Sequence, residues 1–139
     1  MGAIIRQQAS DPRPLFLYAA LHVVHNPIEA PAEFLDVYQT SQPDWCLKKQ
    51  TIVAMASVAD NVTAQLVAAL TEQQMWKQTV LVFSADNGGD SGDSSNFPLK
   101  GRERTFFEGG VRAAAFLVSP LLPADRCGRS EEAFFHVSE

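Results

Sequence analysis

The chain is short of cysteine, has no block of positive charge and shows no long apolar run. Each shortage removes a class of protein. Its two cysteines, Cys46 and Cys127, allow a single disulfide, leave the redox compartment open, and have no partners at metal-site spacing. The formal net charge is −5, so the electrostatic footprint of nucleic-acid binding is missing. No apolar stretch approaches the roughly 18–20 residues of a membrane span, and no span is expected. The opening Met1-Gly2-Ala3-Ile4-Ile5-Arg6 has no apolar leader core, so no secretory signal is visible. What the chain does have is 46% hydrophobic and 19% charged residues over 139 positions. That balance excludes wholesale disorder and suits one domain with a buried core.

Residues 1–13 are polar and read as a lead-in to a domain segment over 14–139. Pro14-Leu15-Phe16-Leu17-Tyr18-Ala19-Ala20-Leu21 is apolar throughout and is expected as a buried strand, with proline at its first position. A loop, His22-Val23-Val24-His25-Asn26-Pro27, follows. Residues 31–38 begin as a short helix, with proline and acid in the first turn. From about 50 to 74, Ile52, Met55, Ala59, Val62, Leu66 and Leu70 recur at spacings of three and four and predict a long amphipathic helix. Strands are expected at 79–84 and 111–118. Strand, helix, strand implies a right-handed crossover, a mostly parallel sheet and an α/β fold.

Chemistry concentrates at the end of the 79–84 strand, in Phe83-Ser84-Ala85-Asp86-Asn87-Gly88-Gly89. Asp86 and Asn87 offer two hard oxygens, suited to Ca²⁺ or Mg²⁺, although such a strand end also serves as a plain turn. His25 follows the first expected strand. If the strands are parallel, it shares a sheet rim with Asp86, where open α/β sheets bind ligands. The cationic concentration is Pro98-Leu99-Lys100-Gly101-Arg102-Glu103-Arg104. It is either a solvated loop pairing its charges locally or an anion-binding arm over the Asp86 rim.

Taken in order, these pieces resemble the sulfatase family. The match rests on Pro14-Leu15-Phe16-Leu17-Tyr18, Val24-His25-Asn26-Pro27, Met55-Ala56-Ser57-Val58-Ala59-Asp60 and Phe83-Ser84-Ala85-Asp86-Asn87-Gly88-Gly89. It continues through Pro98-Leu99-Lys100-Gly101-Arg102, Phe107-Glu108-Gly109-Gly110-Val111-Arg112 and Phe135-His136-Val137-Ser138. The wording is nearest to the arylsulfatase B-like branch. The resemblance implies the alkaline-phosphatase-like α/β fold, one bound Ca²⁺, and hydrolysis of sulfate esters by a formylglycine made from cysteine or serine. It also implies a sulfated small molecule or glycan as substrate, and a lysosomal or secreted location. By position, Asp86 and Asn87 match the second pair of calcium ligands. His25 matches the histidine that contacts the sulfate and leaving-group oxygen, where it can supply a proton. Lys100, Arg102 and Arg104 are the candidate sulfate-binding cations.

Three departures qualify the resemblance. Neither Cys46 nor Cys127 stands in the family's Cys-x-Pro-Ser-Arg nucleophile segment. The early aspartate pair that completes the calcium site is absent. The position of the family's sulfate-binding lysine, five before the glutamate of Glu-Gly-Gly, holds Glu103. The expectation is therefore a middle segment of a sulfatase catalytic domain, inactive by itself. The alternatives are a degenerate, non-catalytic sulfatase-like protein or a phosphatase or phosphodiesterase of the same superfold.

Overall fold

A computed structural model describes residues 1–90, 92 and 94–131. The expected Phe135-His136-Val137-Ser138 match lies outside the described residues. The element order is α1 (Gly2–Gln8), α2 (Ala32–Ser41), α3 (Leu47–Glu72), a 3₁₀ turn (Trp76–Gln78), β1 (Leu81–Ser84), α4 (Glu108–Val111), β2 (Ala115–Val118) and a second 3₁₀ turn (Ala124–Arg126).

α3 forms because nothing in its 26 residues interrupts it. It contains no glycine or proline, and its hydroxyl residues are satisfied inside the helix. Thr51, Thr63 and Thr71 each donate to the carbonyl four residues back at 2.8 Å, which removes their pull toward non-helical backbone. The helix stops at Gln74, whose φ of 58° turns the chain left-handed. Gln74 N–H then reaches the Thr71 carbonyl at 3.0 Å and Met75 N–H the Leu70 carbonyl at 2.8 Å, the two closing bonds of a Schellman end. The expected helices at 31–38 and 50–74 are both present.

α3 is buried in two places, around Gln50, Thr51, Ala54 and Met55 and, nearer its C-terminal end, at Ala69 and Leu70. Ile5 is fully buried against Ala69 and Leu70, with Leu15, Leu66, Met75 and Trp76 around them. The polar lead-in therefore holds a helix, α1, anchored by one apolar side chain. α2 lies along α3, fixed by Tyr38 Oη and Ser57 Oγ at 2.7 Å and by Gln50 Nε2 donating to the Gln42 carbonyl at 2.8 Å. By length and composition α3 is long and apolar enough to cross a membrane, contrary to the expectation that no segment is. Polar residues interrupt every apolar run in α3, but most of them are uncharged, the charged ones being Lys48, Lys49, Asp60 and Glu72.

The sheet differs from expectation. β1 and β2 pair antiparallel, with Leu81 opposite Val118 and Ser84 opposite Ala115. A parallel pair needs a crossover that carries the chain back to the starting end. The described residues between 85 and 114 make none: they turn at one end of β1, with the four-residue α4, and re-enter from there. Phe83 and Phe116, directly opposite, stack with ring centroids 5.0 Å apart. At the other end Ser119 Oγ donates to the Thr79 carbonyl at 2.6 Å.

Residues 14–21, expected as a strand, form no helix or strand and have no ladder partner among the described residues. They lie beside the sheet all the same: Ala19 and Leu21 border a small apolar cavity with Val62 and Leu66 of α3 and Leu81, Val82 and Phe83 of β1. β1 is only partly covered. Leu81 is buried, but Val82 is 65% exposed, and every β2 residue is exposed.

Candidate functional site

Beyond Ser84 the chain turns away through residues 85–89. Ala85 N–H donates to the Ala114 carbonyl at 2.9 Å, carrying the pairing one step past the ladder. Gly88 N–H then meets the Gly110 carbonyl at 2.9 Å, and Glu103 N–H meets the Gly89 carbonyl at 3.2 Å. Gly109 N–H closes the segment on itself at the Lys100 carbonyl, 2.8 Å away. Two loops, 86–89 and 100–110, thus touch backbone to backbone. The approach requires glycine. A Cβ on Gly88 would run into the Gly109 carbonyl, and one on Gly110 into the carbonyls of Arg102 and Thr105. At Gly88 the close neighbour belongs to the other loop, whereas at Gly110 it belongs to the glycine's own loop, which turns tightly there.

Asp86 and Asn87 stand exposed on the outer side of this junction. Asn87 Nδ2 donates to the Gly88 carbonyl at 2.9 Å, which commits the amide nitrogen and leaves Oδ1 for a cation. Among the described residues no group of three or more His, Cys, Asp or Glu side chains gathers at one point. Ca²⁺ takes about 6–8 oxygens, so Asp86 and Asn87 suit its chemistry but do not by themselves complete a calcium site.

The cationic residues separate. Lys100 and Arg102 line an open cleft of about 400 Å³ with Ser94, Ser95, Asn96 and Phe107. Lys100 Nζ sits 4.1 Å from the centre of the Phe107 ring, and Arg102 lies 3.7 Å from Asp90 Oδ1. Arg104 does not line the cleft. Its φ is 65°, and its Nε lies 3.4 Å from Glu103 Oε1. Both readings of the cationic segment are therefore partly visible: local pairing at Arg102 and Arg104, and a cleft that two of its cations border.

His25 is exposed. Its Nδ1 lies 2.8 Å from the Asn26 carbonyl, and its ring stacks on His22 at 5.2 Å. Among the described residues no hydrogen bond ties it to the Asp86 loop or the cationic segment. The strongest charge pair stands elsewhere, in the turn after α1. There the Arg13 guanidinium, 2.6 to 3.1 Å from the Asp11 oxygens, holds the Asp11 carboxyl below its ordinary range.

Sequence reasoning missed Asn96. Its side chain accepts from Gly89 N–H and donates to the carbonyls of Gly89 and Gly101, binding one loop to the other. A lone amide two residues before Pro98 gives no pattern to find. Only the fold brings Gly89 and Gly101 to it.

Comparison with known proteins shows the family. The sulfatase family model matches residues 2–138. The chain is 36% identical over 114 residues to arylsulfatase J of Mus musculus, covering 81% of this chain and 19% of that protein. It is 30% identical over 129 residues to N-acetylgalactosamine-6-sulfatase of Canis lupus familiaris, covering 88% and 23%. A crystal structure of Ps i-CgsB in complex with k-i-k-neocarrahexaose superposes with a TM-score of 0.80 at 27% identity, covering 86% of this chain and 26% of that one. The chain thus spans about a fifth of the length of the curated relatives it matches. It belongs to the sulfatase family, whose fold is alkaline-phosphatase-like.

Proposed function

We propose, from this membership of the sulfatase family, that these residues are the central segment of a calcium-dependent catalytic domain that hydrolyses sulfate esters of a small molecule or glycan. In that domain β1 joins a mostly parallel sheet, with β2 as an antiparallel neighbour. Asp86 and Asn87 supply part of the hard-oxygen shell of one Ca²⁺, and the remaining ligands come from outside the described residues. When bound, the ion supplies positive charge against sulfate oxygens. Lys100 and Arg102 hold the sulfate by charge-assisted hydrogen bonds. Arg104 joins them after turning from Glu103. His25 contacts the leaving-group oxygen and gives it a proton. The relatives' location, lysosomal or secreted, is proposed for the whole protein.

One observation carries the reading: the two loops are locked together by backbone hydrogen bonds at glycines. The loop with the hard oxygens and the loop with the cations are therefore one rigid unit at the end of β1. A plain turn after a strand needs no such partner.

Glu103 favours a second reading, a non-catalytic relative. A carboxylate where the family places a sulfate-binding lysine repels the anion. Sulfate titration of the 139-residue chain, followed by amide shifts, separates the two. The first reading expects the Lys100 and Arg102 signals to move, and Glu103→Lys to tighten binding about tenfold, equivalent to about 1.4 kcal/mol. Sulfate that moves neither signal, in the natural chain or in Glu103→Lys, would leave the non-catalytic reading standing. The chain alone is expected to turn over no aryl sulfate. Turnover that disappears in Asp86→Ala would refute that expectation.

A further inference from the structure

Asn96 behaves in this fold like a short piece of strand. Its Oδ1 accepts the Gly89 N–H at 2.9 Å, while its Nδ2 donates to the Gly89 carbonyl at 2.7 Å. The same Nδ2 lies 3.3 Å from the Gly101 carbonyl. Gly89 ends the loop that carries Asp86 and Asn87; Gly101 stands between Lys100 and Arg102. Resting on the sulfatase reading above, we infer that Asn96 is a positioning residue, which sets the separation between the Asp86-Asn87 loop and the Lys100-Arg102 cations.

The chemistry demands an amide. The position must accept a proton from one backbone group and donate protons to two carbonyls, from a single planar group. Serine is too short to do both. A carboxylate accepts but cannot donate, and it would face two carbonyl oxygens. A protonated carboxyl again accepts and donates, but its single proton serves only one of the two carbonyls, the nearer one of Gly89. The side chain is part-buried, so a lost partner is not fully replaced by water. The other hydrogen bonds between the two loops are backbone bonds, which a change at Asn96 leaves in place. Asn96 is thus a point where their spacing is under the control of one residue's chemistry.

The test uses the ¹⁵N-labelled 139-residue chain, with Asn96→Ala and Asn96→Asp as variants. At neutral pH both variants are expected to speed exchange of the Gly89 amide roughly tenfold relative to the natural chain, the range of one lost hydrogen bond. They should also shift the Lys100 to Arg102 signals while the α2 and α3 signals stay in place. Asn96→Asp carries the discriminating readout. Its Gly89 signal should return toward the natural position as pH falls through about 4, where the introduced carboxyl gains its proton. The readout is the difference between Asn96→Asp and Asn96→Ala, since the native carboxylates Asp86, Asp90 and Glu103 near Gly89 are common to both. Sulfate titration of the three chains should give weaker binding in both variants at neutral pH.

Absence of a pH step in Asn96→Asp beyond that in Asn96→Ala, or variants whose sulfate binding and loop signals match the natural chain, would overturn the proposal. So would loss of the α3 signals together with the loops, because Asn96 would then serve the whole fold and not the spacing. Sulfate that binds none of the three chains would sink the sulfatase reading instead, with the pH step still deciding the role of Asn96.

Discussion

Ile5 and Gly88 do opposite work in this molecule. Ile5 holds the helical half together by filling space: it is fully buried against Ala69 and Leu70. Gly88 joins the strand-and-loop half by leaving space empty, so that its backbone can meet that of residues 109 and 110. The helical half is stabilised chiefly by side-chain packing along α3, where none of the helix starts carries a side-chain cap. The loop half has little apolar burial near the site and relies on backbone hydrogen bonds, with Asn96 as the side-chain tie. The lesson concerns robustness. A packed helix absorbs the loss of one methylene as a small cavity, whereas a loop junction built on bare backbone cannot absorb the gain of one methyl.

The comparison breaks most clearly at Gly88→Ala. The new Cβ meets the Gly109 carbonyl, a backbone atom that cannot rotate away. Overpacking of this kind costs about 3 kcal/mol or more. The expected outcome is separation of the two loops, seen as shifted Asn87, Gly101 and Gly110 amides in a two-dimensional NMR spectrum with α3 unchanged. Full loss of dispersion across the spectrum would show that the halves are one cooperative unit. Ile5→Ala is the converse and somewhat smaller. Truncating a buried isoleucine costs about 2–5 kcal/mol, and a seven-residue terminal helix that can relax points to the lower end, about 2 kcal/mol. Urea denaturation followed by Trp76 fluorescence reads it directly, since Trp76 packs on the same cluster. Loop signals that move as much as the helical ones would erase the division.

How far the sequence could be read follows the same division. α3 was legible because its apolar spacing of three and four persists from Ile52 to Leu70, about five turns, and a helix carries its own hydrogen bonds. Asp86 and Asn87 were legible as a strand end because the apolar run stops abruptly there. The direction of the strand pairing was not legible. It depends on how residues 85–114 return, and a glycine-rich loop has no periodicity that states its path. Burial misled for a related reason. Residues 79–84 and 111–118 are apolar enough to be covered on both faces, but the described residues provide cover mainly at Leu81. The cations illustrate a further limit. Spacing put Lys100, Arg102 and Arg104 in one group, whereas the left-handed turn at Arg104 carries its side chain away from the cleft that the other two line.

The smallest effect sharpens the helical side of the comparison, because it concerns backbone and not packing. Gln74 holds the left-handed position of the Schellman end of α3 at φ 58°. Side chains other than glycine are disfavoured there by roughly 1 kcal/mol, from contact between Cβ and the following carbonyl. Gln74→Gly removes that contact and keeps both closing hydrogen bonds, since they use the backbone alone. Part of the gain is offset by the greater freedom of glycine in the unfolded chain. The expected net is a stabilisation of about 0.5 kcal/mol in urea denaturation, with an unchanged dependence on denaturant concentration and no movement of the loop signals. A destabilisation would mean that the Gln74 side chain contributes more than its backbone strain removes. The helical half would then depend on its surface turn as well as on its buried cluster.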